Sequence, residues 1–278
     1  VESCPDRNLP RFRRDIERAA AGPALFTSVR FFLIPTDMLK TQAISIVVPI
    51  YNEEGNLERL FSEIRAAVGP LGLEWEAVFV DDGSSDASMD VIRTLAGQHP
   101  ELRYLSFAAN QGQSAAFCAG FDAARHDTVV TMDADLQNDP GDIPAMLEKY
   151  AQGYDMVIGW RAQRKDTRAK RWASRLANAI RRSITRDTVH DTGCSLKVMR
   201  RSMLLRLPRF KNMHRYLPPL LQAQGARIAE VKVNHRPRNE GYSKYGTWDR
   251  AVAGVYDLFG VRWLLTRTVR YDLKDHNL

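Results

Sequence analysis

The chain has 278 residues, 44% of them hydrophobic and 26% charged, which excludes a disordered polymer and supplies apolar surface for one sizeable core. A formal net charge of +7 points to an anionic partner: phosphate groups, an acidic membrane face or nucleic acid. Three cysteines, Cys4, Cys118 and Cys194, lack CxxC spacing, which excludes a disulfide framework or zinc site and implies a reducing, cytoplasmic setting. No run reaches the roughly 18 to 20 apolar residues that cross a bilayer.

Residues 1–42 carry little pattern and read as an N-terminal extension; the Val at position 1 fits an over-long gene start. Their most apolar run, 24–34, is short and carries Arg30. Order begins at residue 44, where Ile-Ser-Ile-Val-Val-Pro-Ile has the β-branched composition of a strand buried on both faces. Tyr51-Asn52-Glu53-Glu54 ends it. Leu57, Leu60, Phe61, Ile64 and Val68 then recur at helical spacing until Gly69-Pro70. A second strand over 75–80 runs into Asp81-Asp82-Gly83-Ser84-Ser85-Asp86, a turn and cap composition in which Asp86 is the better helix cap and Asp82 the better ligand. A helix follows to about residue 96.

The pattern continues with a strand over 102–107, a helix over 114–125 that places Cys118 in the core, and a strand over 128–132 leading into Asp133-Ala134-Asp135. Short apolar strands alternating with helices imply βαβ units and a mainly parallel sheet. Such sheets bind ligands outside the carboxyl ends of their strands, so the clusters at Asn52, Asp82 and Asp133 should share one crevice.

The second half is less periodic. A strand over 156–159 precedes a dense basic stretch from Arg161 to Arg186, opposed within it only by Asp166. Most of its charges read as a solvated helix face; Arg161 and Arg175 are the two assigned to the site. A strand over 226–233 leads to the loop Arg238-Asn239-Glu240-Gly241-Tyr242-Ser243-Lys244-Tyr245-Gly246 and a final aromatic and aliphatic helix over 248–267.

Alternate carboxylates at a strand exit suit a divalent cation that bridges a diphosphate, and Leu136-Gln137-Asn138-Asp139 adds oxygen ligands fit for Mg²⁺ or Mn²⁺. Asp82 can accept hydrogen bonds from a base and a ribose. The amides of Asn110-Gln111-Gly112-Gln113 open a helix where an anion or sugar hydroxyl could be received. No GxGxxG follows the first strand, which removes a dinucleotide-dependent oxidoreductase. No partner spacing supports a thiol nucleophile.

Four segments taken together resemble glycosyltransferase family 2, and within it the dolichyl- and undecaprenyl-phosphate sugar synthases. They are Val48-Pro49-Ile50-Tyr51-Asn52-Glu53, Val80-Asp81-Asp82-Gly83-Ser84-Ser85-Asp86, Asn110-Gln111-Gly112-Gln113 and Met132-Asp133-Ala134-Asp135-Leu136-Gln137. The resemblance covers about 43–265 and implies an α/β GT-A fold: a Rossmann-like, mainly parallel sheet flanked by helices over 43–246, then a C-terminal amphipathic helix and tail over 247–278. It places Pro49, Tyr51, Glu53 and Asp82 at the nucleoside, and Asp133 and Gln113 near the donor. Asp135 and Gln137, with Asp133, would meet Mg²⁺ or Mn²⁺. It makes Asp191, in Asp191-Thr192-Gly193-Cys194-Ser195, the candidate general base or acceptor-positioning group; a phosphate oxygen, already ionised, needs no strong base.

The segment Phe210 to Pro218, with His214, and the loop holding Arg238, Ser243 and Lys244 look like parts of polyprenyl-phosphate transferases. With Arg161 and Arg175 they offer charge-assisted donors to phosphates. His214 reads equally well as a packed core histidine. The expected partners are a nucleotide-sugar donor, UDP- or GDP-linked, a polyprenyl-phosphate acceptor, and a membrane surface or membrane-anchored protein. Many relatives carry transmembrane helices after the catalytic domain, and this sequence shows none. Instead Trp248, Val252, Val255, Tyr256, Phe259 and Trp263 with flanking arginines could lie in the inner membrane interface, or the helix could pack on the domain. Nucleic acid is not expected, because aromatic residues do not interleave with the basic run. A glycan acceptor and a catalytically silent nucleotide-sugar-binding subunit are the competing readings.

Overall fold

The computed structural model describes residues 43–162, 181–185, 187, 189–236 and 247–267, all within one compact unit over 35–278. The proposed boundary at residue 42 therefore lies outside the described residues. Strand β1 (Ala43–Ile50) pairs in parallel with β2 (Glu74–Asp81), Ile50 facing Asp81, and with β4 (Thr128–Thr131). β3 (Leu102–Ser106) extends this block beyond β2. β5 (Met156–Trp160) runs parallel to β7 (Ile228–Lys232). Between β4 and β5 lies β6 (Lys197–Arg200), antiparallel to both, which completes a sheet of order β3-β2-β1-β4-β6-β5-β7. The mainly parallel expectation holds; β6 is the strand the sequence did not announce.

Every residue of β1 after Ala43 is buried, as a strand covered on both faces requires. Helix α1 (Leu57–Val68) turns Leu57, Leu60, Phe61, Ile64 and Val68 inward, the five positions its spacing marked. The Phe61 ring meets the Phe79 ring edge-on at 6.1 Å, so truncation to alanine should cost about 3–5 kcal/mol. Helices α2 (Ser88–Gln98) and α4 (Ile143–Ala151) pack beside α1. Helix α3 (Gln113–Ala123) lies against β1 so closely that a Cβ on Gly120 would come within 2.2 Å of Val47 Cγ1. That contact fixes where the amino end of α3 emerges beside the strand ends.

A short helix α5 (Arg201–Leu204) and a helix α6 (Leu217–Ala223) follow β6. The last helix, α7 (Thr247–Arg267), docks through Leu258 and Val261, which are 7% and 1% exposed. Tyr256, Phe259 and Trp263, at spacings of three and four residues, stand 81%, 65% and 61% exposed on another side. The helix thus has one docked apolar face and one bare one, where the sequence suggested a single stripe. No helix among the described residues is long and apolar enough to cross a membrane.

Candidate active site at the carboxyl ends of the strands

The loops after β1 and β2 are sewn together. Asn52 N–H donates to Ser84 Oγ at 2.9 Å, Glu53 N–H to Ser88 Oγ at 2.9 Å and Glu54 N–H to Asp86 Oδ2 at 3.2 Å. In return Ser85 N–H donates to Asn52 Oδ1 at 2.8 Å and Ala87 N–H to Glu54 Oε2 at 2.6 Å. Asp86 also accepts from Ser88 N–H at 3.0 Å; the N-cap position of α2 itself is Ala87, one residue beyond the expected cap. Tyr51 and Glu53 sit half-buried on this platform. Pro49 is buried in β1 opposite Val80, in the floor beneath this platform.

Asp82 is tied to the next loop. It is 3% exposed and its carboxylate accepts from Gln111 N–H at 2.7 Å, Gly112 N–H at 2.9 Å and Asn110 Nδ2 at 3.0 Å. Burial pushes its pKa up, against the pull of the backbone N–H groups. The enclosed carboxylate clamps the 110–112 loop. Gly83, at φ +69, lies under the same loop; a Cβ there would sit 2.6 Å from the Ala109 carbonyl carbon.

After β4 the chain alternates. Ala134, Leu136 and Asn138 are buried, while Asp133, Asp135, Gln137 and Asp139 are half-buried. Leu136 takes φ +59, a left-handed conformation costing a non-glycine residue about 1–2 kcal/mol, and this keeps both carboxylates on the outer side of the turn. Asn138 and Asp139 are otherwise employed, contrary to expectation. Asn138 Oδ1 accepts from Ser195 Oγ at 2.6 Å, and Asp139 caps a single helical turn at 140–142 and pairs with Arg236 at 2.9 Å. Asp133 accepts from Gln113 Nε2 at 2.7 Å. Burial and the neighbouring Asp135 charge raise the Asp133 pKa, opposed by Ser195, Lys197 and Arg161.

The facing wall is ionic. Arg161, leaving β5, holds Asp191 through Nε at 2.7 Å and Nη2 at 2.9 Å, both side chains being nearly enclosed. Burial alone would lower the guanidinium, but the hydrogen bond and charge of Asp191 outweigh it. Glu230 on β7 receives His190 N–H at 2.9 Å and Asp191 N–H at 3.4 Å, which fixes the turn that carries Asp191. Sequence reasoning missed Glu230 and also Lys197, which lies 4% exposed in β6 with its ammonium on the Cys194 carbonyl. Burial lowers the Lys197 pKa, opposed by Cys194, Asp133 and Asp191. A lysine inside an otherwise apolar run, Leu196-Lys197-Val198-Met199, was the available signal.

His214 is packed. Its Nδ1 lies 2.7 Å from Ser114 Oγ, its ring centroid is 6.0 Å from that of Phe117, and burial drives its pKa down to about 3. It is neutral near pH 7 and a poor base. Cys118, expected in the core, is half-buried against Met213 Sδ at 3.5 Å and lines a surface cavity. Arg175, Arg238, Ser243 and Lys244 lie outside the described residues.

The carboxylate pair is suited to a divalent cation. Asp133 and Asp135 repel each other, and a cation between them would relieve that. Among the described residues no three His, Cys, Asp or Glu side chains form a complete metal cage. Oxygens from Gln137 and from a bound diphosphate would have to complete the coordination, as is usual for Mg²⁺.

Residues 45–207 match the model of the family described as Glycosyl transferase family 2. The chain is 41% identical over 217 residues to an undecaprenyl-phosphate 4-deoxy-4-formamido-L-arabinose transferase of Pseudomonas aeruginosa, an alignment covering 77% of this chain and 63% of that one. It is 38% identical over 239 residues to a dodecaprenyl-phosphate galacturonate synthase of Rhizobium johnstonii, covering 84% and 70%. Among solved structures it resembles glucosyl-3-phosphoglycerate synthase from Mycobacterium tuberculosis in complex with Mn²⁺, uridine diphosphate and phosphoglyceric acid, with TM-score 0.61 and 20% identity over 84% of this chain and 82% of that one. That likeness is one of fold, the GT-A arrangement. The chain thus spans a little under two thirds of the arabinose transferase it matches.

Proposed function

Because the chain belongs to glycosyltransferase family 2, we propose that it moves a sugar from a UDP- or GDP-sugar onto a polyprenyl phosphate, inverting the anomeric configuration. The observation that carries this reading is the pairing of two walls: the half-buried carboxylates Asp133 and Asp135 on one side, and the Arg161–Asp191 ion pair on the other. Relatives named for transfer to undecaprenyl and dodecaprenyl phosphate support a lipid phosphate over a glycan acceptor.

Tyr51 and Glu53 line the nucleoside site on the platform that the 84–88 loop braces, and Asp82 keeps the 110–112 loop in place beside it. Asp133, Asp135 and Gln137 would hold Mg²⁺ or Mn²⁺, whose positive charge would offset negative charge on a nucleoside diphosphate leaving group. Gln113 orients Asp133. Since an acceptor phosphate is ionised at neutral pH, Asp191 acts by holding Arg161 and not by taking a proton. Its carboxylate occupies Nε and Nη2, so Nη1 is the donor that Arg161 turns to a phosphate. Arg175, Arg238, Ser243 and Lys244 supply further donors to donor and acceptor phosphates.

The bare Tyr256, Phe259 and Trp263 face of α7 rests in the headgroup region of the inner membrane leaflet, where amphipathic aromatic rings are at home. The protein then works as a peripheral enzyme on the cytoplasmic side, with 1–42 as an extension outside the catalytic unit.

The test is a transfer assay with Mn²⁺ or Mg²⁺, labelled UDP- and GDP-sugars, and undecaprenyl phosphate beside a soluble glycan acceptor. One lipid-linked sugar, formed only with metal, is the expected product. Transfer to glycan alone, or donor binding without transfer across the panel, would overturn the acceptor assignment.

A further inference from the structure

A cavity of about 850 Å³ opens beside the site, between α3 and residues 209–215. Its volume falls within the range, about 300–1,000 Å³, of sites that enclose small ligands. At one end is Gln113, the residue bonded to Asp133 at 2.7 Å. From there it follows α3 past Ala115 and Ala119, whose small side chains leave the space open, and Phe210 faces them. Lys211 and Arg215, both exposed, stand on the same wall. Gln111, Ser114, Asn212 and His214 and the Asp122–Arg209 ion pair make the rest of the lining polar. The apolar strip of Ala115, Ala119 and Phe210 beside the two cations complements an amphiphile with an anionic head.

The wall is also tied to α7. Asn212 Nδ2 donates to Asp257 Oδ2 at 2.9 Å, and Tyr216 OH to the Gly254 carbonyl at 3.2 Å. Asp257 lies in the turn of α7 that exposes Tyr256 and Phe259. The cavity therefore adjoins the reacting carboxylates at one end and is braced by the helix with the bare aromatic face. The other large cavity, about 520 Å³ near Phe61, Trp75 and His99, lies at the amino ends of the strands and has neither connection.

We propose that this trough holds the lipid acceptor, its phosphate against Lys211 and Arg215 and its first isoprene units along Ala115, Ala119 and Phe210. The assignment rests on the polyprenyl-phosphate reading above and adds to it the place where the acceptor lies. It separates the acceptor's resting site from Arg161, which meets the phosphate only when the head advances to the donor.

The experiment titrates the full chain with farnesyl phosphate, farnesol and inorganic phosphate, and measures the acceptor KM for undecaprenyl phosphate. Two variants are compared with the wild type: the double charge reversal Lys211→Glu with Arg215→Glu, and Ala115→Phe, which fills the trough. Unfolding midpoints close to that of the wild type show that each variant is folded. Farnesyl phosphate should bind roughly tenfold more weakly to each, which corresponds to about 1.4 kcal/mol, and the acceptor KM should rise in step. Inorganic phosphate should respond only to the charge reversal and farnesol only to Ala115→Phe. Unchanged farnesyl phosphate binding and KM in both variants, with a wild type that transfers sugar to lipid, would overturn the trough alone. A wild type that neither binds farnesyl phosphate nor transfers to lipid would overturn the reading beneath it.

Discussion

The two walls of the site are built by different chemistry. On the nucleotide side, loops 51–54 and 84–88 are joined by main-chain N–H groups donating to short side chains, with Asp82 doing the same for 110–112. On the facing side, Arg161 and Asp191, 30 residues apart, are held by charge, and Glu230, 39 residues on, fixes the Asp191 turn by accepting main-chain N–H groups. The first construction fixes shape and depends little on salt, and acid weakens it where a carboxylate acceptor such as Asp82, its pKa raised by burial, takes up a proton. The second fixes charge, and an incoming phosphate can compete with it. Under the proposed function, a donor site for one nucleotide geometry and an acceptor site for an anion would call for these two solutions.

The largest expected effect breaks the shape-built wall. Gly83→Val puts a Cβ within 2.6 Å of the Ala109 carbonyl carbon at φ +69, so stability should fall by about 3 kcal/mol or more, read as a lower denaturant midpoint. On the charged wall, Arg161→Ala leaves Asp191 enclosed without its partner. A loss of about 3 kcal/mol is expected, and Arg161→Lys should not restore transfer because an ammonium cannot replace the bidentate fork. Salt should modify the second defect and leave the first alone.

Glu230→Gln is a smaller perturbation that sharpens the contrast. The amide still accepts from His190 N–H, but its charge is gone. Stability should drop by about 1 kcal/mol, with a higher acceptor KM and little change in nucleotide affinity. Near neutral pH the smallest effect is that of His214, which grows only on acidification. Its folded pKa is about 3 and its unfolded value about 6.5, so below pH 6.5 the unfolded chain binds a proton that the folded chain refuses. Stability should therefore fall as pH drops from 6.5 toward 3, by at most about 1.4 kcal/mol per unit from this group. In His214→Gln that slope should flatten when denaturant midpoints are followed against pH.

The same division explains what was legible in the sequence. β1, β2 and β4 and the clusters after them were readable because β-branched runs and Asx-rich turns are local signals, and the helical spacing of Leu57 to Val68 named its five buried residues. β6 was not, because its three buried residues in a row show no alternation and Lys197 is one of them. The Arg161–Asp191 pair was named as two separate candidates, since no local pattern joins residues 30 apart. The clamp that Asp82 makes on the 110–112 loop was not legible, because turn composition does not say which backbone N–H groups will fold back onto a carboxylate. In α7, periodicity grouped Tyr256, Phe259 and Trp263 with an apolar helix, but only packing separated them from the docked Leu258 and Val261.

Both walls depend on one claim, that Asp133 and Asp135 receive a cation carrying the diphosphate of the donor. Titrating wild type and Asp135→Ala with UDP and GDP, in Mn²⁺ and then in chelator, tests it most directly. One nucleotide should bind to the wild type at least about tenfold more tightly with Mn²⁺, and that gain should vanish in Asp135→Ala. Equal nucleotide affinity with and without metal, or a metal gain that survives in the variant, would contradict the account.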